Sequence, residues 1–308
     1  MNLTIAYITS RKESKIEWMW DSLLLQGADE LPFIVVDSHY NDRDTSAGIW
    51  KQISEHAIHV APKPNVWSGE HRLTKESWFS AASQRNTALC LAPDGYIVFV
   101  DDLSVLMPGW LQAVREAMAG GYVVCGAYKK VRQLRVENGI VQSYDEFFGG
   151  LDQRWGYAKS DPCPAELGWL FGCSCGMPVE ALLTINGWPE ICDGLGFEDC
   201  CTGIALTNAG YKMMYDRRML TLESEEHHHV EPALQREDWH FENGIPVIGG
   251  NGKNDKSHAV LNIALGSKRF PQCFDIREMR QKVLAGEPFP VLNQPQHDWF
   301  TRVMLSEL

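Results

Sequence analysis

The sequence predicts an α/β fold: a mostly parallel sheet flanked by helices, followed by a C-terminal extension. Two observations carry this. Short apolar runs alternate with segments of helical period from Leu3 to about Ala127, the order expected of parallel strands joined by helical crossovers. The most strand-like run, Tyr96 to Val100, stops abruptly on two carboxylates, Asp101 and Asp102.

Taken in order, Leu3 to Ile8 is a buried strand feeding the polar run Thr9-Ser10-Arg11-Lys12. Ser14 to Gln26 places Ile16, Met19, Trp20, Leu23 and Leu24 at helical spacing, with Ser14 to cap the start and Gly27 the end. Phe33 to Val36 is a second strand, closed by Asp37-Ser38. Pro62, Pro64, Trp67 and Gly69 mark an ordered loop, and Trp78 to Leu91 reads as a helix. After the Tyr96 to Val100 strand, Pro108-Gly109 opens a helix from Trp110 to Met118, and Tyr122 to Ala127 gives another strand. Beyond that the alternation weakens: Gly, Cys and Trp are dense between Gly149 and Gly196. A helix is expected at Asp199 to Ala209, a short strand at Tyr211 to Tyr215, and amphipathic segments at Ile276 to Leu284 and Trp299 to Leu305.

Composition narrows the function. Hydrophobic residues at 44% and charged residues at 22% exclude collagen, coiled coil and wholesale disorder. The net charge of −12 makes the average surface repel nucleic acid and anionic lipid. A polyanionic partner would need a local patch, for which Lys63, Arg72, Lys75 and Arg85 are the available cations. Nine cysteines without a C-x-x-C pair point to reduced thiols rather than a disulfide framework, hence a cytoplasmic protein. No segment has the length and apolarity of a membrane span.

Three constellations carry chemistry. Asp101 and Asp102 stand where a parallel strand ends, the edge at which open α/β sheets bind ligands. Their hard oxygens suit manganese or magnesium, although strand-end Asp also serves ordinary turns. Glu198 and Asp199 follow Gly194-Leu195-Gly196-Phe197 at a helix start, where a carboxylate can take a proton from a substrate hydroxyl or simply cap the helix. Glu225-Glu226-His227-His228-His229 offers imidazoles to a divalent ion; in an extended chain His227 and His229 share one face and His228 the other.

The order of these motifs resembles the GT-A-type glycosyltransferases, family 2-like, with a galactosyltransferase-like acidic motif late in the chain. The resemblance runs from Leu3 to His229. It rests on the strand-end Asp37, on Ser83-Gln84-Arg85-Asn86-Thr87 and on the DxD-like Asp101-Asp102. It continues through Asn186-Gly187-Trp188-Pro189 to Gly196-Phe197-Glu198-Asp199 and Ala209-Gly210-Tyr211. Leu103 departs from the third acidic residue many family 2 members carry, and either register of the motif leaves Asp102 as the metal ligand. His228 stands thirty residues after Glu198, the interval at which the galactosyltransferase-like members place a metal-binding histidine.

The resemblance implies a GT-A-type, Rossmann-like domain over residues 1–230, with residues 231–308 as an extension packed on it. It implies a nucleotide-diphosphate sugar donor touched by Thr9, Asp37 at the nucleobase, Arg85 at the diphosphate and Asp101 at the ribose. A manganese or magnesium ion would sit on Asp102 and His228, with His227 and His229 as alternates. Asp199 would be the base and Glu198 would position the acceptor, giving direct displacement with inversion. The acceptor hydroxyl is left open among a glycan, a small molecule, a protein side chain and a modified nucleic-acid base. Trp67, Trp169, Trp188 and Trp239 are candidates for stacking on it, and Gly249 to His258 for a lid. The other two readings are a nucleotidyltransferase-like sugar-nucleotide enzyme, which lacks the expected glycines after the first strand, and a non-catalytic glycan-binding module.

Overall fold

The computed structural model describes residues 2–65, 81–193, 197–228, 239–242, 245–248 and 268–292. The opening alternation is present. Strands β1 (Asn2–Thr9), β2 (Phe33–Asp37), β3 (Ile58–Val60) and β4 (Gly95–Asp101) lie in the order β3-β2-β1-β4, all parallel. Helices α1 (Ile16–Leu24), α2 (Gly48–His56) and α3 (Ala81–Leu91) make the connections. Beyond β4 the sheet becomes mixed. A short β5 (Ser104–Leu106) and helix α4 (Trp110–Gly120) precede β6 (Val123–Glu137), β7 (Ile140–Asp145), β8 (Cys163–Pro164) and β9 (Ser174–Pro178). Helices α5 (Val179–Thr184) and α6 (Glu198–Asn208), strand β10 (Met213–Ser224) and the single turn α7 (Glu225–His228) follow. The order continues β4-β9-β6-β10-β5, with β9 antiparallel to both neighbours and β6 parallel to β10. Strands β11 (Trp239–Glu242) and β12 (Ile245–Ile248) form a separate antiparallel pair, and α8 (Ile276–Leu284) closes the described chain.

Both sheet faces are covered, which explains the continuous apolar runs. Leu3, Ile5 and Tyr7 of β1 and Tyr96, Val98 and Val100 of β4 face α1 and α4, while Ala6, Ile8, Ile97 and Phe99 face the layer holding α3, α5, α6 and α8. Helix α8 packs on α3, and Arg280 donates to the Ala92 carbonyl and the Asp94 carboxylate, both at 2.8 Å. Asp275 caps α8 by accepting from the Glu278 amide at 3.0 Å.

Several elements differ from expectation for identifiable reasons. Helix α1 begins after Lys15, whose φ is 54°, with no side-chain cap. The Ser14 carbonyl instead accepts from Tyr7 Oη and the Leu103 amide. Strand β6 runs 15 residues rather than stopping at Ala127, because its polar outer half pairs with β7 across the turn at Asn138-Gly139, both at positive φ. Strand β10 begins at Met213 and extends to Ser224, well past Tyr215. Trp188, a candidate for the acceptor cleft, is instead fully buried edge-on against Phe99, and Trp169 packs on Tyr215. Trp67, the Gly249 to His258 loop and the Trp299 to Leu305 segment lie outside the described residues, as does the Trp239 side chain.

Candidate active site

Register alone gathers the first group. Thr9 at the end of β1 pairs with Asp37 at the end of β2, and Ile8 pairs with Asp101 at the end of β4. Thr9, Asp37, Asp101 and Asp102 therefore share the C-terminal edge of the parallel sheet. Helix α3 packs behind this edge. Ser83, Gln84, Arg85, Asn86 and Thr87 are all buried there, and most of their polar groups find partners, Gln84 Oε1 and Arg85 Nε excepted. Gln84 Nε2 donates to the Thr9 carbonyl, Ser10 Oγ and Ser38 Oγ at 2.8–3.0 Å. Asn86 bonds the Trp188 amide and carbonyl and Glu190. The α3 motif thus ties the strand ends to Asn186-Gly187-Trp188-Pro189.

Arg85 lies at the centre. Its side chain is 1% exposed; one guanidinium nitrogen donates to Asp101 Oδ1 at 2.8 Å and another to Glu198 Oε1 at 3.0 Å. The guanidinium carbon lies 4.7 Å from the Trp188 ring centroid. A Cβ on Gly172 would fall 2.1 Å from an Arg85 nitrogen, so glycine there leaves room for the bridge. The resemblance puts Arg85 at a donor diphosphate; in the structure its guanidinium bonds the two carboxylates. Burial lifts the Asp101 carboxyl above its ordinary range, Arg85 pulls it back, and the Glu223 charge adds to the rise.

Glu198 and Asp199 open α6 as expected, in the first turn where the helix dipole favours anions. Asp199 Oδ2 accepts from the Gly172 amide at 3.0 Å and Oδ1 from the Cys200 amide at 2.7 Å. A non-glycine residue in the left-handed region adjoins each acidic pair: Leu103 at φ 64° after Asp102, and Phe197 at φ 68° before Glu198. Such residues cost about 1–3 kcal/mol each and cluster at functional sites.

Asp102 accepts from Thr9 Oγ1 at 2.9 Å and from Arg11 Nε at 3.2 Å. The same guanidinium donates to the His227 carbonyl at 3.1 Å, drawing α7 toward the end of β4. His227 Nδ1 bonds Ser224 Oγ at 2.7 Å, and burial together with Lys15 pushes the imidazole below its ordinary pKa. Residues 225–228 form a helical turn, so the alternating faces expected of an extended histidine run do not apply. The His228 side chain and His229 lie outside the described residues. Among the described residues no three Asp, Glu, His or Cys side chains converge as a metal cage. Asp102, tied through Arg11 to the backbone carbonyl of His227, nevertheless offers a hard oxygen donor of the kind that a divalent ion shares with a phosphate-bearing substrate.

Asp37 is fully buried and its oxygens are engaged. Arg43 Nε reaches Oδ2 at 2.7 Å, His59 Nε2 lies 3.2 Å from Oδ2, and the His39 amide donates to Oδ1 at 2.8 Å. Arg43 also stacks on Trp50, 4.2 Å from its centroid, and Trp50 stacks on His59. Burial raises the Asp37 carboxyl, but the bonds from His59 and Arg43 outweigh it and hold the pKa below the ordinary value. The unfolded chain therefore takes up this proton first. The stabilisation is complete above the unfolded pKa of about 3.9 and is lost as pH falls through the folded value. Asp37→Asn is expected to cost about 2–4 kcal/mol at pH 7, with a smaller penalty below about pH 4. Urea unfolding of both proteins at the two pH values checks this; a penalty that does not shrink in acid contradicts it.

Arg11, Arg43, His59 and Gly172 were not singled out from the sequence. Arg11 belonged to the polar run closing β1, and the others sit in segments without periodicity. The proposed basic patch does not form from its described members: Lys63 is buried and bonds Glu190 at 2.6 Å, and Arg85 is bridged as above. Arg72 and Lys75 lie outside the described residues. All nine cysteines carry free thiols, and no described helix is long and apolar enough to cross a membrane.

No family model and no curated protein sequence matches the chain. Solved structures do share its fold. Staphylococcus aureus TarS 1–349 superposes with a TM-score of 0.50 at 16% identity, over 73% of this chain and 60% of that one. TarS 1–349 in complex with UDP gives a TM-score of 0.53 at 13% identity, over 99% of this chain and 71% of that one. The chain thus spans 60% of the first of these structures. At such identities the likeness establishes the architecture, a Rossmann-like α/β sheet of the GT-A type.

Proposed function

We propose that this chain is a metal-dependent glycosyltransferase that moves a sugar from a nucleotide-diphosphate sugar to an acceptor hydroxyl, with inversion at the anomeric carbon. The observation that carries the reading is the Arg85 bridge. It joins the acidic pair at the end of β4 to the acidic pair at the start of α6, so a donor-side and an acceptor-side carboxylate are fixed relative to each other. A GT-A-type fold shared with a protein crystallised with UDP supports the donor class.

Asp199 takes the proton from the acceptor hydroxyl. Its oxygens each accept one backbone N–H, which orients the carboxylate toward the substrate hydroxyl. Glu198, held by Arg85, positions the acceptor. Asp101, one-third exposed, faces the donor ribose, and the Thr9 backbone lines the same edge. Asp37 serves the nucleobase end indirectly, by fixing Arg43 and the His39 amide. A manganese or magnesium ion on Asp102 and one of His227, His228 and His229 would supply charge neutralisation for the departing diphosphate. Because Lys63 and Arg85 are buried and paired, an uncharged glycan or small hydroxyl compound suits the site better than a modified nucleic-acid base. The free thiols suit a reducing, cytoplasmic setting.

Thermal unfolding with UDP and manganese tests the binding part. UDP with manganese is expected to raise the midpoint, by mass action on the folded state. Asp102→Asn is expected to abolish the manganese-dependent increment. A midpoint unmoved by any nucleoside diphosphate contradicts the reading.

A further inference from the structure

The contact between Arg11 and Asp102 has a consequence for how the site fills. Arg11 leaves the C-terminal end of β1 with its side chain 20% exposed and Asp102 13% exposed. Its guanidinium touches Asp102 at 3.2 Å and the His227 carbonyl at 3.1 Å. It therefore holds together the two elements from which a divalent ion would draw ligands, and it places a single positive charge where that ion's charge would lie. The other guanidinium groups of this edge are committed elsewhere: Arg85 to Asp101 and Glu198, and Arg43 to Asp37, with both side chains buried.

We propose that Arg11 is an exchange residue: it neutralises Asp102 before metal binding and, displaced by the ion, binds the donor's diphosphate. This rests on the proposed metal site and goes beyond it. A divalent ion binds the Asp102 oxygens directly and repels a guanidinium beside it, so the two cations compete for one carboxylate. A diphosphate entering at the strand ends offers the displaced group a planar, bidentate anion, the geometry arginine matches best. The His227 carbonyl tethers Arg11 close by during the exchange. The two roles have opposite signs, which a merely structural contact would not produce.

The test is a pair of titrations on the full chain. Manganese alone is titrated by electron paramagnetic resonance, and UDP by calorimetry at saturating manganese, for the unmodified protein, Arg11→Gln, Arg11→Lys and Asp102→Asn. Arg11→Gln is expected to bind manganese about three- to tenfold more tightly, because the competing ion pair is gone. It is expected to bind UDP on the order of tenfold more weakly, because a charge-assisted phosphate contact is lost. Arg11→Lys should recover part of the UDP affinity and shows whether a cation suffices where the fork is absent. Manganese binding that depends on Asp102 but is unchanged or weakened in Arg11→Gln overturns the exchange while leaving the metal site standing. UDP affinity unchanged in Arg11→Gln overturns it equally. If no form binds manganese while UDP still binds, the metal site itself is wrong, and Arg11 is a permanent partner of Asp102.

Discussion

Replacing Arg85 by methionine is expected to lower the unfolding free energy by about 3–5 kcal/mol, the usual cost of removing one partner from a buried ion network. Methionine keeps much of the packing against Trp188 but removes the guanidinium that bridges Asp101 Oδ1 and Glu198 Oε1, at 2.8 and 3.0 Å. Asp101 is already pushed upward by burial with Glu223 nearby, so loss of Arg85 drives it further toward the protonated form. Adding Glu198→Gln to the variant is expected to restore part of the stability, since an amide leaves no uncompensated charge. Urea unfolding of the single and double variants checks both statements. A loss below about 1 kcal/mol for the single change would show that the bridge is an ordinary surface pair.

Asp199→Asn is expected to leave the fold and UDP binding intact while slowing sugar transfer by about 10²–10⁴-fold, the range that general-base catalysis contributes. Asparagine can still accept from one of the Gly172 and Cys200 amides through its carbonyl oxygen, so the start of α6 keeps part of its anchoring. It cannot take up the acceptor proton. Measured on one preparation, UDP affinity within about twofold of the unmodified protein together with the slowed transfer separates a base from a binding group. Transfer at the original rate would remove Asp199 from the chemistry.

The fold was legible where sequence and burial agree. Strands β1, β2 and β4 announce themselves as apolar runs stopped by Thr9, Asp37 and Asp101, and the same stops mark the ligand edge. Strand β9, in the middle of the sheet, was not legible because close packing forbids the residues that signal a strand. A Cβ on Gly176 would meet Tyr96 at 2.8 Å and Val98 at 3.0 Å, so the run is Ser-Cys-Gly-Met-Pro instead of β-branched. Helix α3 carries its polar residues inward, and their partners lie up to 113 positions away in sequence, as Glu198 does from Arg85. The acidic pairs could therefore be located from the sequence, whereas the cation that joins them had to be seen in the fold. Arg11 and Arg43 were invisible for a simpler reason: an arginine in a polar loop looks the same whether it is solvated or holds a buried carboxylate.

The most direct measurement of the central claim is release of nucleoside diphosphate from a panel of nucleotide sugars, followed by phosphorus NMR with manganese present and a mixture of neutral glycosides as acceptors. The expected result is diphosphate formation from at least one donor, coupled to a new glycosidic product and lost together with it in Asp199→Asn. Binding of no donor, and no diphosphate formed from any of them, would contradict the assignment of this site to sugar transfer.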